Sequence, residues 1–123
     1  MANSSMSFTE TYTTSGSIKK IKAVWLSDDA NGTCSKTTTY AYDGQLMGAI
    51  TVPGAGTPAN QYNVTIKDSD SVDIALGGLL LRSNVATQYV NGSVMAGAAA
   101  SVLNINVSGA GNATNGIVYL YFR

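Results

Sequence analysis

The chain contains no histidine and a single cysteine, Cys34. Without imidazole it lacks the usual general base, the commonest metal ligand and every serine–histidine arrangement. One cysteine makes no intrachain disulfide and no zinc cluster, so it points to no redox compartment. Cys34 reads as a small strand residue beside a turn. A reactive thiol wants cationic or helix-end neighbours, and only Lys36 stands near. Charge is scarce as well. Only 11% of the 123 residues are charged, less than half the ~25% of ordinary domains. The net charge is zero, which removes the electrostatic term that nucleic-acid binding depends on. Little repulsion then keeps copies apart.

Glutamate occurs once, at Glu10. A carboxylate pair for sugar hydrolysis would have to combine it with turn aspartates. Catalytic carboxylates need tuned, partly buried settings, and the chain is read as no enzyme, with no cofactor. Long hydrophobic runs are missing too. The longest, 74–81 and 94–100, are broken by glycines and are too short to span a bilayer. The opening MANSSMSFTETY has neither a basic stretch nor an apolar one, so it is not read as a signal peptide. These absences predict a soluble protein made in a cytoplasm, with neither nucleic acid nor membrane as partner.

Serine, threonine, asparagine and glycine fill the place of charge. They suit turns and strand faces and weaken helices. A chain of this length forms one domain that buries about two thirds of its unfolded surface. Its clearest stretch is 43–70, DGQLMGAITVPGAGTPANQYNVTIKDSD. Asp43-Gly44 reads as a tight hairpin turn. A run over 45–52 is stopped by Pro53-Gly54, and 61–67 alternates, with Tyr62, Val64 and Ile66 on one side. That period of two is the pleat of a half-buried strand.

The same reading places strands at 7–14 and 18–26. In the second, Ile21, Ala23 and Trp25 share a face opposite Lys20, Lys22 and Val24. Trp25, the largest apolar residue, should anchor the core. Further strands fall at 33–42, 86–90, 101–108 and 117–122. Turns fall at Ser15-Gly16-Ser17 and over 27–32, and 109–116 reads as a polar hairpin loop. The stretch 72–81 reads as a short bulged strand or one helical turn. Strand 117–122 is apolar on both faces, which marks a central strand or one whose outer face meets another subunit. About eight short strands at regular spacing predict an all-β, single-domain antiparallel β-sandwich, jelly-roll-like. Residues 1–6 are expected to be a flexible N-terminus and 7–123 the domain.

Few clusters could carry chemistry. Asp68, Asp70 and Asp73 could offer oxygens to calcium, but Val72 stands at the fifth loop position and no glycine at the sixth. Capping of turns is the preferred reading. Lys19, Lys20 and Lys22 read as a solvated or edge-guarding strand face. Seven tyrosines and one tryptophan could stack on sugars, although packing at interfaces is the commoner use. Six N-x-S/T sites, at Asn3, Asn31, Asn63, Asn91, Asn106 and Asn112, read as chance in so Asn- and Thr-rich a chain. The glycine-rich 109–116 precedes no helix or lysine, so it is no phosphate loop.

Three stretches, DGQL (43–46), ITVPGAGTPANQYNVTIKDSDSVDI (50–74) and LNINVSGAGNATNGIVYLY (103–121), resemble a group of small proteins encoded beside capsid and tail genes of tailed bacteriophages. The resemblance covers most of the chain from Tyr40 onward. It departs from the group's pattern over 79–84, where leucines replace a more polar run. It brings no catalytic residues and implies a virion component. The expectation is a capsid decoration (cement) protein on the virion surface, with the major capsid protein and its own copies, as a homotrimer, for partners. Leu79, Leu80, Leu81, Tyr119 and Tyr121 are the interface candidates. The alternatives are a neck or tail adaptor or collar component and, from another class, a carbohydrate-binding module on the virion.

Overall fold

A computed structural model describes residues 4–11, 19–28 and 32–123, apart from the side chains of Thr11, Val94 and Ala99. The turn expected at Ser15-Gly16-Ser17, the end of the first strand after Thr11, and Asp29-Ala30-Asn31 lie outside the described residues. Nine strands appear: β1 (Ser5–Thr11), β2 (Lys19–Leu26), β3 (Cys34–Thr37), β4 (Tyr42–Pro53), β5 (Asn63–Lys67), β6 (Gln88–Asn91), β7 (Gly97–Ser101), β8 (Asn104–Ser108) and β9 (Asn115–Phe122). No α-helix occurs among the described residues; one 3-10 turn, Gly92–Val94, separates β6 from β7.

The strands form two antiparallel sheets. The larger runs β1-β2-β9-β4-β6, with β7 also paired to β4; the smaller runs β3-β8-β5. The pairing is nested. β2 pairs with β9, β3 with β8, and β4 with β6 and β7. β5 carries residues 73–82 on its free edge, through bridges Tyr62–Arg82 and Lys67–Asp73. The pairs β2–β9, β3–β8 and β4–β7 thus lie in turn in the large, the small and the large sheet.

Alternation decides which side chains meet between the sheets. Ile21, Ala23 and Trp25 of β2, Val118, Leu120 and Phe122 of β9, and Leu46 and Ala49 of β4 face Val64, Ile66, Ile105 and Val107 of the small sheet in one buried cluster. Trp25 crosses the gap to Tyr62, with ring centroids 5.5 Å apart, and Tyr42 packs on Phe122 at 5.4 Å. Gly116 makes room for the indole: a Cβ there would stand 2.7 Å from Trp25 Cζ2. The predicted faces of β2 and β5 hold, and β9 is central, between β2 and β4.

Other expectations fail, each for a local reason. Met6 is buried in β1, so the ordered chain starts before residue 7. Asp43 and Gly44 lie inside β4, at a register irregularity opposite β7, and make no hairpin turn. Segment 109–116 is no hairpin loop either: it crosses from β8 in the small sheet to β9 in the large one and supplies the start of β9. Residues 72–81 form neither strand nor helix. They are consecutive turns bonded along the free edge of β5, by Ile74 N to Ile66 O at 2.8 Å and Val64 N to Leu79 O at 2.9 Å. An irregular cap of this kind satisfies edge groups without offering a new edge.

Candidate packing surface

The register of the large sheet lines up the outward residues of neighbouring strands. One row runs Ser7, Val24, Ile117, Val52; the next runs Thr9, Lys22, Tyr119, Ile50, Tyr89; a third holds Lys20, Tyr121, Gly48 and Asn91. Val24 and Tyr89 are exposed, and Ile50, Val52, Ile117, Tyr119 and Tyr121 are half-buried. Tyr89 leans across the sheet onto Gly48, where a Cβ would stand 2.8 Å from its hydroxyl. Lys20 Nζ sits 5.1 Å from the ring centroid of Tyr119 and 5.9 Å from that of Tyr121, within cation–π reach. These rows contain two lysines and no carboxylate. Toward the end of β2 the face deepens into an open groove of about 390 Å³, bounded by Ser5, Ser7, Val24, Leu26, Asn115 and Ile117.

The small sheet presents the opposite chemistry. Its outward rows are Ser35, Asn106, Thr65; then Thr37, Asn104, Lys67; then Asn63 with Ser108. No apolar residue stands in them. Such a face is at home in water, whereas the large sheet's outer face has the aromatic and aliphatic content of an interface core.

The five expected interface residues divide. Tyr119 and Tyr121 sit at the centre of the outer face of the large sheet. Leu80 and Leu81 are exposed on the cap over β5, and Leu79 is fully buried. Leu79 is therefore a core residue and no contact for a partner. Its neighbours complete a second apolar surface, with Val72, Leu76, Leu80, Leu81 and Val85 between 40% and 82% exposed. Leu76 and Leu81 hold left-handed backbone, with φ of 52° and 58°.

The carboxylates of Asp68, Asp73 and Glu10 are occupied by the fold. Asp68 Oδ1 accepts from the N–H groups of Asp70 and Val72, at 2.9 and 3.0 Å. Asp73 Oδ1 accepts from Ile66 and Ala75 and its Oδ2 from Gly77, so it ties the cap to β5. Among the described residues no three of His, Cys, Asp and Glu gather as metal ligands, Asp68, Asp70 and Asp73 included. Glu10 accepts from Tyr42 Oη at 2.8 Å and from the N–H groups of Thr39 and Tyr40, clasping β1 to the β3–β4 connection. Cys34 donates to Ser5 O at 3.0 Å, and burial pushes its thiol pKa up. Burial likewise raises Tyr62, an effect partly offset by the nearby Thr51 hydroxyl and the Arg82 charge. Tyr62 Oη and Thr51 Oγ1 nevertheless fall short of hydrogen-bond geometry.

The sequence pointed to Tyr119 and Tyr121 through the doubly apolar β9. It missed Ile50, Val52 and Tyr89, because their alignment depends on pairing between distant residues, of Ile50 with Tyr119 on one side and with Tyr89 on the other. No family model, curated protein or solved structure matches the chain.

Proposed function

We propose that the protein acts by packing, with the outer face of the large sheet as its working surface, and that it serves as a capsid decoration protein bridging capsomers of a phage head. The contrast between the two outer faces carries the reading. One chain, rich throughout in Ser, Thr and Asn, keeps those residues on the small sheet and places Tyr, Ile and Val on the large one. The nested strand pairing supports a jelly-roll reading of the sandwich. The phage-like stretches 43–46, 50–74 and 103–121 supply the virion context. They contain β5, β8 and most of β4 and β9, and so Ile50, Val52, Tyr119 and Tyr121 of that surface.

The mechanism is burial of area at subunit seams. The patch from Lys22 to Tyr89 and from Val24 to Lys20 spans about 200–300 Å², from the spacings of strands and residues. A stable pairwise interface takes about 800 Å² per partner. One patch holds weakly, and repetition over a symmetric shell makes the total large. A second reading rests on Tyr89, exposed and lying over Gly48, beside Tyr119 and Tyr121 with Lys20: aromatic faces so presented also stack on sugars.

The test is copy number. The protein is quantified against the major capsid protein in purified particles by mass spectrometry. Hundreds of copies support decoration, and a dozen move the protein to the neck or tail. Absence from the particle overturns the virion reading and leaves sugar binding to be tested on a glycan array.

A further inference from the structure

Nine large hydrophobic residues are exposed among the described ones. Two, Val24 and Tyr89, lie on the large sheet's outer face; five, Val72, Leu76, Leu80, Leu81 and Val85, lie on the cap and its continuation. The remainder, Tyr40 and Val102, are scattered. The two surfaces also divide the charge. Two of the seven basic residues, Lys20 and Lys22, stand in the rows of the sheet face, and segment 68–85 holds three of the seven acidic ones, Asp68, Asp70 and Asp73, against one basic residue, Arg82. A chain of zero net charge is thus polarised, with an aromatic surface that carries lysine and an aliphatic one that carries aspartate.

We infer that the cap of one copy, residues 68–85, docks on the outer face of the large sheet of a second copy, joining subunits head to tail. The inference rests on the reading of that face as the packing surface and names its occupant. Charge complementarity selects the cap: Asp70 is exposed beside Val72 and meets a face whose rows hold Lys20 and Lys22 without a carboxylate. A symmetric face-to-face dimer would instead set lysines against lysines. Area points the same way. Each copy in a head-to-tail ring uses both surfaces, so it buries two patches where a face-to-face pair buries one. Leu76 and Leu81 add a third observation. Left-handed backbone is unfavourable for a leucine, and here it holds two exposed side chains on the docking surface.

The experiment measures self-association of the full chain by sedimentation equilibrium at low and high salt. The wild type should associate, more weakly at high salt. Lys20→Glu/Lys22→Glu and, separately, Asp70→Lys should each weaken association by about tenfold. Leu81→Asp should abolish it. Circular dichroism confirms folding of each variant; Asp70 is chosen because Asp68 and Asp73, not Asp70, hold the turns. The decisive step is mixing. The Lys20→Glu/Lys22→Glu and Asp70→Lys chains should regain association together, since each then offers the surface the other lacks. A monomeric wild type, or a mixture no stronger than its components, overturns the inference. If Tyr121→Asp still weakens attachment to capsids in that case, the packing reading stands without it. If Tyr121→Asp changes neither attachment nor self-association, both fall.

Discussion

The two sheets share an inner chemistry and differ in the outer one. Facing the core, Val118 and Leu120 of β9 and Ile105 and Val107 of β8 are equally inaccessible. Facing out, the neighbours of β9 include Val24, Ile50 and Val52, while those of β8 are Ser35, Asn63 and Thr65. Inward residues are set by the need to bury area on folding, a demand both sheets meet alike. Outward residues are free of it. A polar outer face is therefore the default, and an apolar one needs a further cause. Under the proposed function, coverage by another molecule is that cause, and the difference is informative because both faces come from one composition.

The shared inner chemistry is tested first, with the largest effect. Trp25→Ala removes a fully buried ring that touches Tyr62 across the sandwich. It should cost about 3–5 kcal/mol, a large share of the ~5–15 kcal/mol that holds a domain folded. Ile105→Ala, on the facing sheet, should cost about 2–5 kcal/mol. Urea unfolding followed by fluorescence or circular dichroism reads both. A core variant that unfolds at the wild-type midpoint would break the symmetry between the inner faces.

The outer faces are compared by matched substitutions. Tyr121→Asp places a carboxylate in the aromatic rows, and Asn106→Asp does the same in the polar rows. Each should change folding stability by less than about 1 kcal/mol, since both sites are half-exposed. Attachment to capsids should separate them: Tyr121→Asp should lose about 2 kcal/mol or more of binding, and Asn106→Asp should lose nothing. Equal losses would mean that the polar face is also in contact.

How much could be foreseen follows the same division. Where one face of a strand is buried, alternation shows in the sequence, and Ile21–Ala23–Trp25 and Val64–Ile66 were legible for that reason. The doubly apolar 117–122 announced a central strand. Strand partners were not legible. Asp43-Gly44 has the composition of a hairpin turn, yet it is drawn into β4, where it lines up with β7 and places Gln45 N 3.1 Å from Arg123 O. The cap was hidden for a different reason. Its bonds to β5 come from Asp73 and from backbone at Ile74 and Leu79, and they follow no period. Leu79, Leu80 and Leu81 look alike in sequence, and only the turn decides that the first is buried and the third exposed.

The left-handed leucines offer a sharper and smaller test. Leu81→Gly relieves the strain at φ 58° and should raise the urea midpoint by the equivalent of about 0.5–1 kcal/mol, the gain from left-handed backbone less glycine's added freedom when unfolded. Leu80→Gly, with no such strain to relieve, should lower it. A fall in both would remove strain from the account of the cap.

The smallest effect is a pH dependence confined to the small-sheet side of the core. Cys34 and Tyr62 both hold their protons more tightly when folded, because burial disfavours their anions. Below their ordinary values, about 8.5 for a thiol and about 10 for a phenol, both states are protonated and the contribution is complete. As pH rises past those values the unfolded chain releases protons that the folded chain keeps. The unfolded state then binds fewer protons, so unfolding free energy falls with pH until the folded values are passed. Stability should therefore be flat at neutral pH and decline on the alkaline side, in two steps. Cys34→Ala should remove the earlier step. Tyr62→Phe should remove the later one at little cost near neutrality, since the hydroxyl it deletes is buried and makes no hydrogen bond. An alkaline decline that keeps both steps in Tyr62→Phe would remove Tyr62 as the source of the later one, and with it the claim that burial of that phenol holds its proton.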